Sequence, residues 1–204
     1  MPSTGYFAGG PLHCFTVFPH RDLFVLQTDD LDRVEWSRVG HDMAFLSTLP
    51  DFIGIKHIAI EYNPEWGIQM LKGSDFCGMD IVRTLNEGAS DAEGFVWKIW
   101  LIDHSLKRKA DAPAFEEKTS DYVDLNVFYA SDRKLLEVEW NGYSDPKENW
   151  RYIKPAGDTS DDCWTWSTYF VRRLDEEIRS NMYDDYSGTN QDACNIRLLG
   201  WDDL

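Results

Sequence analysis

The sequence predicts a mixed α/β domain built on a largely parallel sheet with helical crossovers, together with a long C-terminal helix. Apolar, strand-like runs begin near residues 22, 55 and 95, and the segments between them carry apolar residues near helical spacing. A parallel pair of strands needs a long connection, which a helix fills economically. Toward the C-terminus, residues 160–182 place Trp166, Phe170, Leu174 and Ile178 on one stripe of an otherwise charged segment.

Taken in order, residues 13–18 and 22–27 read as two strands joined by a turn at 19–21, an opening hairpin. Residues 31–49 read as one helix, or two short ones around Gly40, stopped by Pro50. The run 55–60 is apolar and bounded by Gly54 and Asn63-Pro64, as suits a strand buried on both faces. Helical segments follow at 64–71, where Pro64 fits a first turn, and at 79–85; residues 88–94 read as a loop. The clearest strand, 95–102, ends in Asp103-His104.

Residues 107–120 are charged and weakly periodic, the pattern of a surface loop or insertion. Two further strands are expected at 122–129 and 133–140. In the second, Leu136, Val138 and Trp140 alternate with Glu137 and Glu139, as on a half-exposed edge. Asn141-Gly142 signals a turn. Ser160 or Asp161 can cap the long helix, and the tail 183–204 offers Ile196, Leu198, Leu199 and Trp201 for packing back on the body. One domain spanning 1–204 accounts for all of this. The spacing of the first strand starts also fits a leucine-rich-repeat-like arrangement, although no side-chain pattern recurs.

Thirty-six acidic against twenty basic side chains leave a formal charge of −16, a field that repels phosphate backbones and anionic membrane surfaces. A basic protein partner, a cationic ligand or a metal ion stays compatible with it. Nine Trp, nine Tyr and eleven Phe are too many for a disordered acidic chain, so the protein folds. No run approaches the roughly 18 apolar residues of a membrane span, and no basic cluster precedes an apolar run near residue 1, so an intracellular site, cytoplasmic or nuclear, is expected. The four Cys are scattered without C-x-x-C pairing and are expected as free thiols. Nothing in the chain calls for a cofactor or a bound metal.

Three phrases resemble the fungal two-EXR F-box-like family. Residues 18–26, Phe-Pro-His-Arg-Asp-Leu-Phe-Val-Leu, are similar to its N-P-x-x-D-t-l-y-l strand, and residues 52–60 to its f-x-x-I-r-h-L-A-i strand; residues 128–135 are similar to a later segment. The family's F-box-like N-terminal run and its C-R-E-S-R element have no counterpart, and the one E-x-R is Glu177-Ile178-Arg179, in an acidic helical context. The resemblance therefore implies a substrate-recognition body without the adaptor-docking part.

For chemistry, the carboxyl ends of parallel strands are the usual ligand positions, and here they present Glu61-Tyr62-Asn63 and Asp103-His104. Two carboxylates and an imidazole could serve acid/base work or hold a divalent metal if Glu61, Asp103 and His104 converge. His41-Asp42 are adjacent on a helix and point about 100° apart, and His57 reads as a hydrogen-bonded core imidazole. No nucleophile elbow, phosphate loop, dinucleotide fingerprint or H-E-x-x-H helix occurs. Of the nine Trp, Trp66, Trp140 and Trp150 lie near predicted turns and are the candidates for a binding surface. The leading expectation is a non-catalytic domain that recognises protein through an acidic, Trp-bearing surface; the rival is a small-molecule or metal-assisted enzyme at Glu61, Asp103 and His104.

Overall fold

A computed structural model describes residues 3–5, 15–18, 20–27, 30–39, 55–73, 75–91, 98–116, 125–139, 148–154, 167–185 and 194–204. In chain order the strands are β1 (Ser3–Gly5), β2 (Phe15–Val17), β3 (Leu23–Val25), β4 (His57–Glu61), β5 (Lys98–Arg108), β6 (Val127–Tyr129), β7 (Arg133–Glu137), β8 (Trp150–Tyr152) and β9 (Asn195–Asp203). The helices are α1 (Trp36–Val39), α2 (Pro64–Leu71), α3 (Asp80–Asp91) and α4 (Ser167–Asp185), with a 3-10 turn at Leu31–Arg33.

The apolar runs pair as their composition requires. β4 lies parallel to β5 with His57 opposite Lys98 and Glu61 opposite Ile102, and β3 lies parallel to β4 on its other side. Between β4 and β5 the chain crosses through α2 and α3. Asn63 caps α2 by accepting from the Glu65 N–H at 3.0 Å, and Pro64 occupies the first turn, where its missing N–H costs nothing. α3 buries Val82, Leu85 and Ala89, one stripe at helical spacing.

The sheet order is β3-β4-β5-β9-β7-β6, with β8 antiparallel to the far end of β5. Strands β3, β4 and β5 are adjacent and parallel along the sheet. The order then passes to β9, parallel to β5, and on to antiparallel β7 and β6. The expected tail is thus a strand at the middle of the sheet. It is held there by hydrogen bonding on both edges, and by Asp175 of α4, which accepts from the Ile196 N–H and from Arg197 Nη1, each at 3.1 Å.

Four other expectations change. β2 pairs with β1 and β3 with β4, so residues 13–18 and 22–27 are not a hairpin; the turn forms, with Arg21 and Asp22 N–H groups on the Phe18 carbonyl, but β3 gains a better partner in the buried β4. Residues 88–91 belong to α3 and not to a loop, because Gly88 gives the Trp36 ring room: a Cβ there would sit 2.8 Å from it. Lys107 and Arg108 belong to β5, so the surface segment starts at Lys109. β7 is flanked on both sides and Glu137 is buried, because its carboxylate accepts from the Asn126 N–H (3.0 Å) and amide (2.7 Å) and faces Lys98 at 3.5 Å. Residues 40–54, 92–97, 117–124, 140–147 and 155–166, with the expected turn at Asn141-Gly142 and the cap at Ser160 or Asp161, lie outside the described residues.

Two cores result. On one face Ile58, Ile60, Ile99, Leu101, Ile196 and Leu198 pack against α3 and against Phe170, Leu174 and Ile178 of α4. On the other, Ala59, Trp100, Ile102, Phe128, Leu135 and Leu199 pack on one another. That second core exists because the sheet curls. β6 is four places from β4, about 19 Å away in a flat sheet, yet the Phe128 ring lies 5.3 Å from that of His57 and 5.5 Å from that of Trp100.

Candidate functional site

At the carboxyl ends of β4 and β5 the three residues expected to converge divide between the two faces of the sheet. Successive strand residues point to opposite sides. His104 turns outward, where its Nε2 lies 2.7 Å from Glu61 Oε2, both side chains being about half exposed. Asp103 turns inward, 2% exposed, under the first turn of α4. Its Oδ2 accepts from Ser167 Oγ at 2.5 Å and its Oδ1 from the Ser105 N–H at 2.8 Å. Burial raises the Asp103 pKa, opposed by those two serine hydrogen bonds. Beside it the buried Tyr62 phenol is pushed well above its ordinary range, first by burial and then by the Asp103 carboxylate. The Asp103 group is a buried latch between β5 and α4, and the Glu61–His104 pair is a surface contact. Among the described residues no carboxylate pair closes around an imidazole.

His57 is a core imidazole, as its surroundings in the sequence suggest. Its Nδ1 accepts from the Trp100 indole N–H at 3.3 Å, and its pKa falls to about 4 through burial, then through Lys98 and Lys56. Cys77 and Cys194 are free thiols; burial pushes that of Cys194 up to about 12. Cys14, Cys163 and His41-Asp42 lie outside the described residues. Among the described residues no cluster of His, Cys, Asp and Glu is arranged to hold a metal.

The tryptophans picked for a surface are placed differently. Trp150 is buried, packed on Gly200 and beneath Arg108, so its ring is core. Trp66 is half-buried, its ring 5.6 Å from Tyr62 and 6.0 Å from Phe170. Trp140 lies outside the described residues. A fourth, Trp201, lies at the end of β9, half-buried against the edge of the second core. Its indole N–H donates to the His104 carbonyl at 2.9 Å, and its ring carries Lys107 Nζ at 4.2 Å and Arg133 Cζ at 5.1 Å. Each cation is matched in turn: Lys107 holds both carboxylate oxygens of Asp203 (2.9 and 2.8 Å), and Arg133 binds Asp132 (2.6 Å).

No family model, curated protein or solved structure matches this chain. Its chemistry is therefore read from its own residues.

Trp201 is a fixed aromatic. The indole is held by a hydrogen bond and two cations before any partner arrives, which lowers the ordering cost of a contact. Sequence reading missed Trp201 because the acidic tail hides a strand. The signal was Ile196 and Leu198 alternating with Arg197, Leu199 and Trp201, a period of two. Among the described residues no helix is long and apolar enough to cross a membrane.

Proposed function

We propose that this chain is a non-catalytic protein-recognition domain whose contact surface centres on Trp201. The observation that carries this reading is the pre-set indole ring flanked by Lys107 and Arg133, with the carboxylates of Glu61, Asp132 and Asp203 around it. Trp and Arg are the side chains that most often dominate interface energies, and a charged rim sets register and encounter rate more than affinity. The overall charge of −16 favours a partner with a basic surface. The likeness of three sequence phrases to the two-EXR family supports the same assignment, since it implies a substrate-recognition body. Against the acid/base alternative stands the separation of Asp103 from Glu61 and His104 by the thickness of the sheet.

The test is affinity capture from the native source with the wild-type chain, Trp201→Ala and Arg133→Ala in parallel, each checked for folding by circular dichroism. A specific partner should be weakened at least tenfold by Trp201→Ala and measurably by Arg133→Ala, and its binding should fall as salt rises. Equal capture by all three chains rejects the surface.

A further inference from the structure

On the opposite side of the same strand ends lies a cleft of about 340 Å³ that the recognition surface does not use. Its floor is the antiparallel corner of the sheet, where Val127, Leu136 and Tyr129 share one face; its roof is the segment after β5, with Ala112, Pro113 and Phe115. The ionisable walls are Arg108, Lys109, Lys134 and Asp202. Alternation along β7 and β9 separates the two regions: Lys134 and Asp202 face the cleft, whereas Arg133, Trp201 and Asp203 face away from it.

Arg108 is the unusual group. It is 9% exposed, and among the described residues its guanidinium makes one hydrogen bond, Nη2 to the Pro113 carbonyl at 2.5 Å, while lying 5.4 Å from the Phe115 ring and 5.8 Å from the Trp150 ring. Among the described residues no carboxylate oxygen comes within ion-pair distance of it; Asp202, the acid on the cleft wall, sits 3.5 Å from Lys134 Nζ. A guanidinium keeps its charge and carries five N–H donors in a planar fork, of which the described residues engage one. Asp202 offsets the burial of this cation from beyond ion-pair distance, and an anion entering the cleft would add a directly hydrogen-bonded counter-charge.

We propose that this cleft binds a small organic monocarboxylate with an apolar or aromatic tail. The fork of Arg108 matches the two oxygens of a carboxylate, with Lys109 at the mouth, while Val127, Leu136 and Phe115 accommodate the tail. Three cations against one acid make the cleft locally positive in a chain of net charge −16. Asp202 and that surrounding field set the limit at one negative charge, which disfavours phosphate monoesters and other dianions. The volume is within the range of small-ligand sites.

Titration of the full chain with sodium benzoate, benzamide and inorganic phosphate, followed by amide NMR shifts, tests the assignment. Benzoate should bind saturably, moving the amides of Lys109, Val127, Tyr129 and Lys134, with benzamide and phosphate each at least tenfold weaker. Arg108→Lys keeps the charge but removes the fork and should weaken benzoate at least tenfold. Ala112→Trp fills the cleft from its roof, leaves Arg108 in place and should abolish binding, so the question stays decidable if Arg108→Lys does not fold. Equal affinity for benzoate and benzamide, tighter binding of phosphate, no benzoate binding, or unchanged binding in Ala112→Trp each overturns the proposal. Trp201→Ala should leave benzoate binding intact, which separates this site from the recognition surface.

Discussion

Replacing Gly200 by Ala is expected to destabilise the protein by about 3 kcal/mol or more, the upper end of what overpacking costs. Gly200 sits in β9 opposite Leu136, on the face where Trp150 of β8 lies flat against the strand. A Cβ there would overlap the Trp150 ring and stand 2.9 Å from the Leu106 carbonyl, so either the ring or the backbone of β5 must move. Both neighbours are fully packed, Trp150 at 3% and Leu106 at 0% exposure. Urea unfolding measures the loss. In a Trp150→Phe background, where the ring is smaller, the same change should cost less than in the wild type, because the two side chains share one space. A Gly200→Ala protein within about 0.5 kcal/mol of wild type, the range of ordinary surface changes, would show that Trp150 does not pack there.

The second large effect is acid sensitivity through His57. The imidazole is nearly buried, packed against Trp100 and Phe128, and two lysines, Lys98 and Lys56, oppose its protonation. Its folded pKa of about 4 lies below the ordinary 6.5. The unfolded chain therefore binds a proton that the folded chain refuses, so stability is fully present above about pH 6.5 and is lost as pH falls from there toward 4. The shift corresponds to on the order of 3 kcal/mol, or about 6–12 °C of melting temperature for a chain of this length. His57→Gln supplies an amide oxygen that can accept the Trp100 N–H and does not titrate. Melting curves across pH 4 to 7 should show the variant losing markedly less stability than the wild type; parallel curves would exclude His57 as the cause.

The parallel half of the sheet was readable because burial on both faces leaves its mark in composition. Ile55, Ile58 and Ile60, and Ile99, Leu101 and Ile102, form apolar runs too short for helices and bounded by turn residues, and the long connection between them left a crossover as the economical path. The rest of the sheet was obscured by charge. Glu137 reads as a solvent-facing residue until Asn126 and Lys98 are seen to satisfy it. Asp202 and Asp203, beside Trp201, give the last strand the look of an acidic tail. Gly88 reads as a loop until the Trp36 ring is found against it, a contact made by residues 52 positions apart.

The set expected at the strand ends divides for a local reason: Glu61 and His104 meet, and Asp103 lies apart from them. Asp103 and His104 are neighbours in one strand, and the two-residue period of a strand already forbids them a common face. Position near a turn did not mark exposure: Trp150 fills the space over a glycine, while Trp201, within a strand, is only half-buried. The cleft around Arg108 carried no motif at all. It is made where β5, β6, β7 and β9 meet, from residues scattered between 108 and 202, and three-dimensional pairing was needed to bring them together.

Both proposed regions depend on the C-terminal segment being the middle strand of the sheet, with Trp201 and Asp202 on its two faces. Amide hydrogen exchange tests this most directly. The Ile196 N–H, held by Asp175, and the amides of Leu198 and Leu199, in the strand that runs between β5 and β7, should exchange only through global unfolding and rank among the slowest amides in the protein. Exchange of these three amides at the rate of an unpaired tail would contradict the placement, and with it both binding regions.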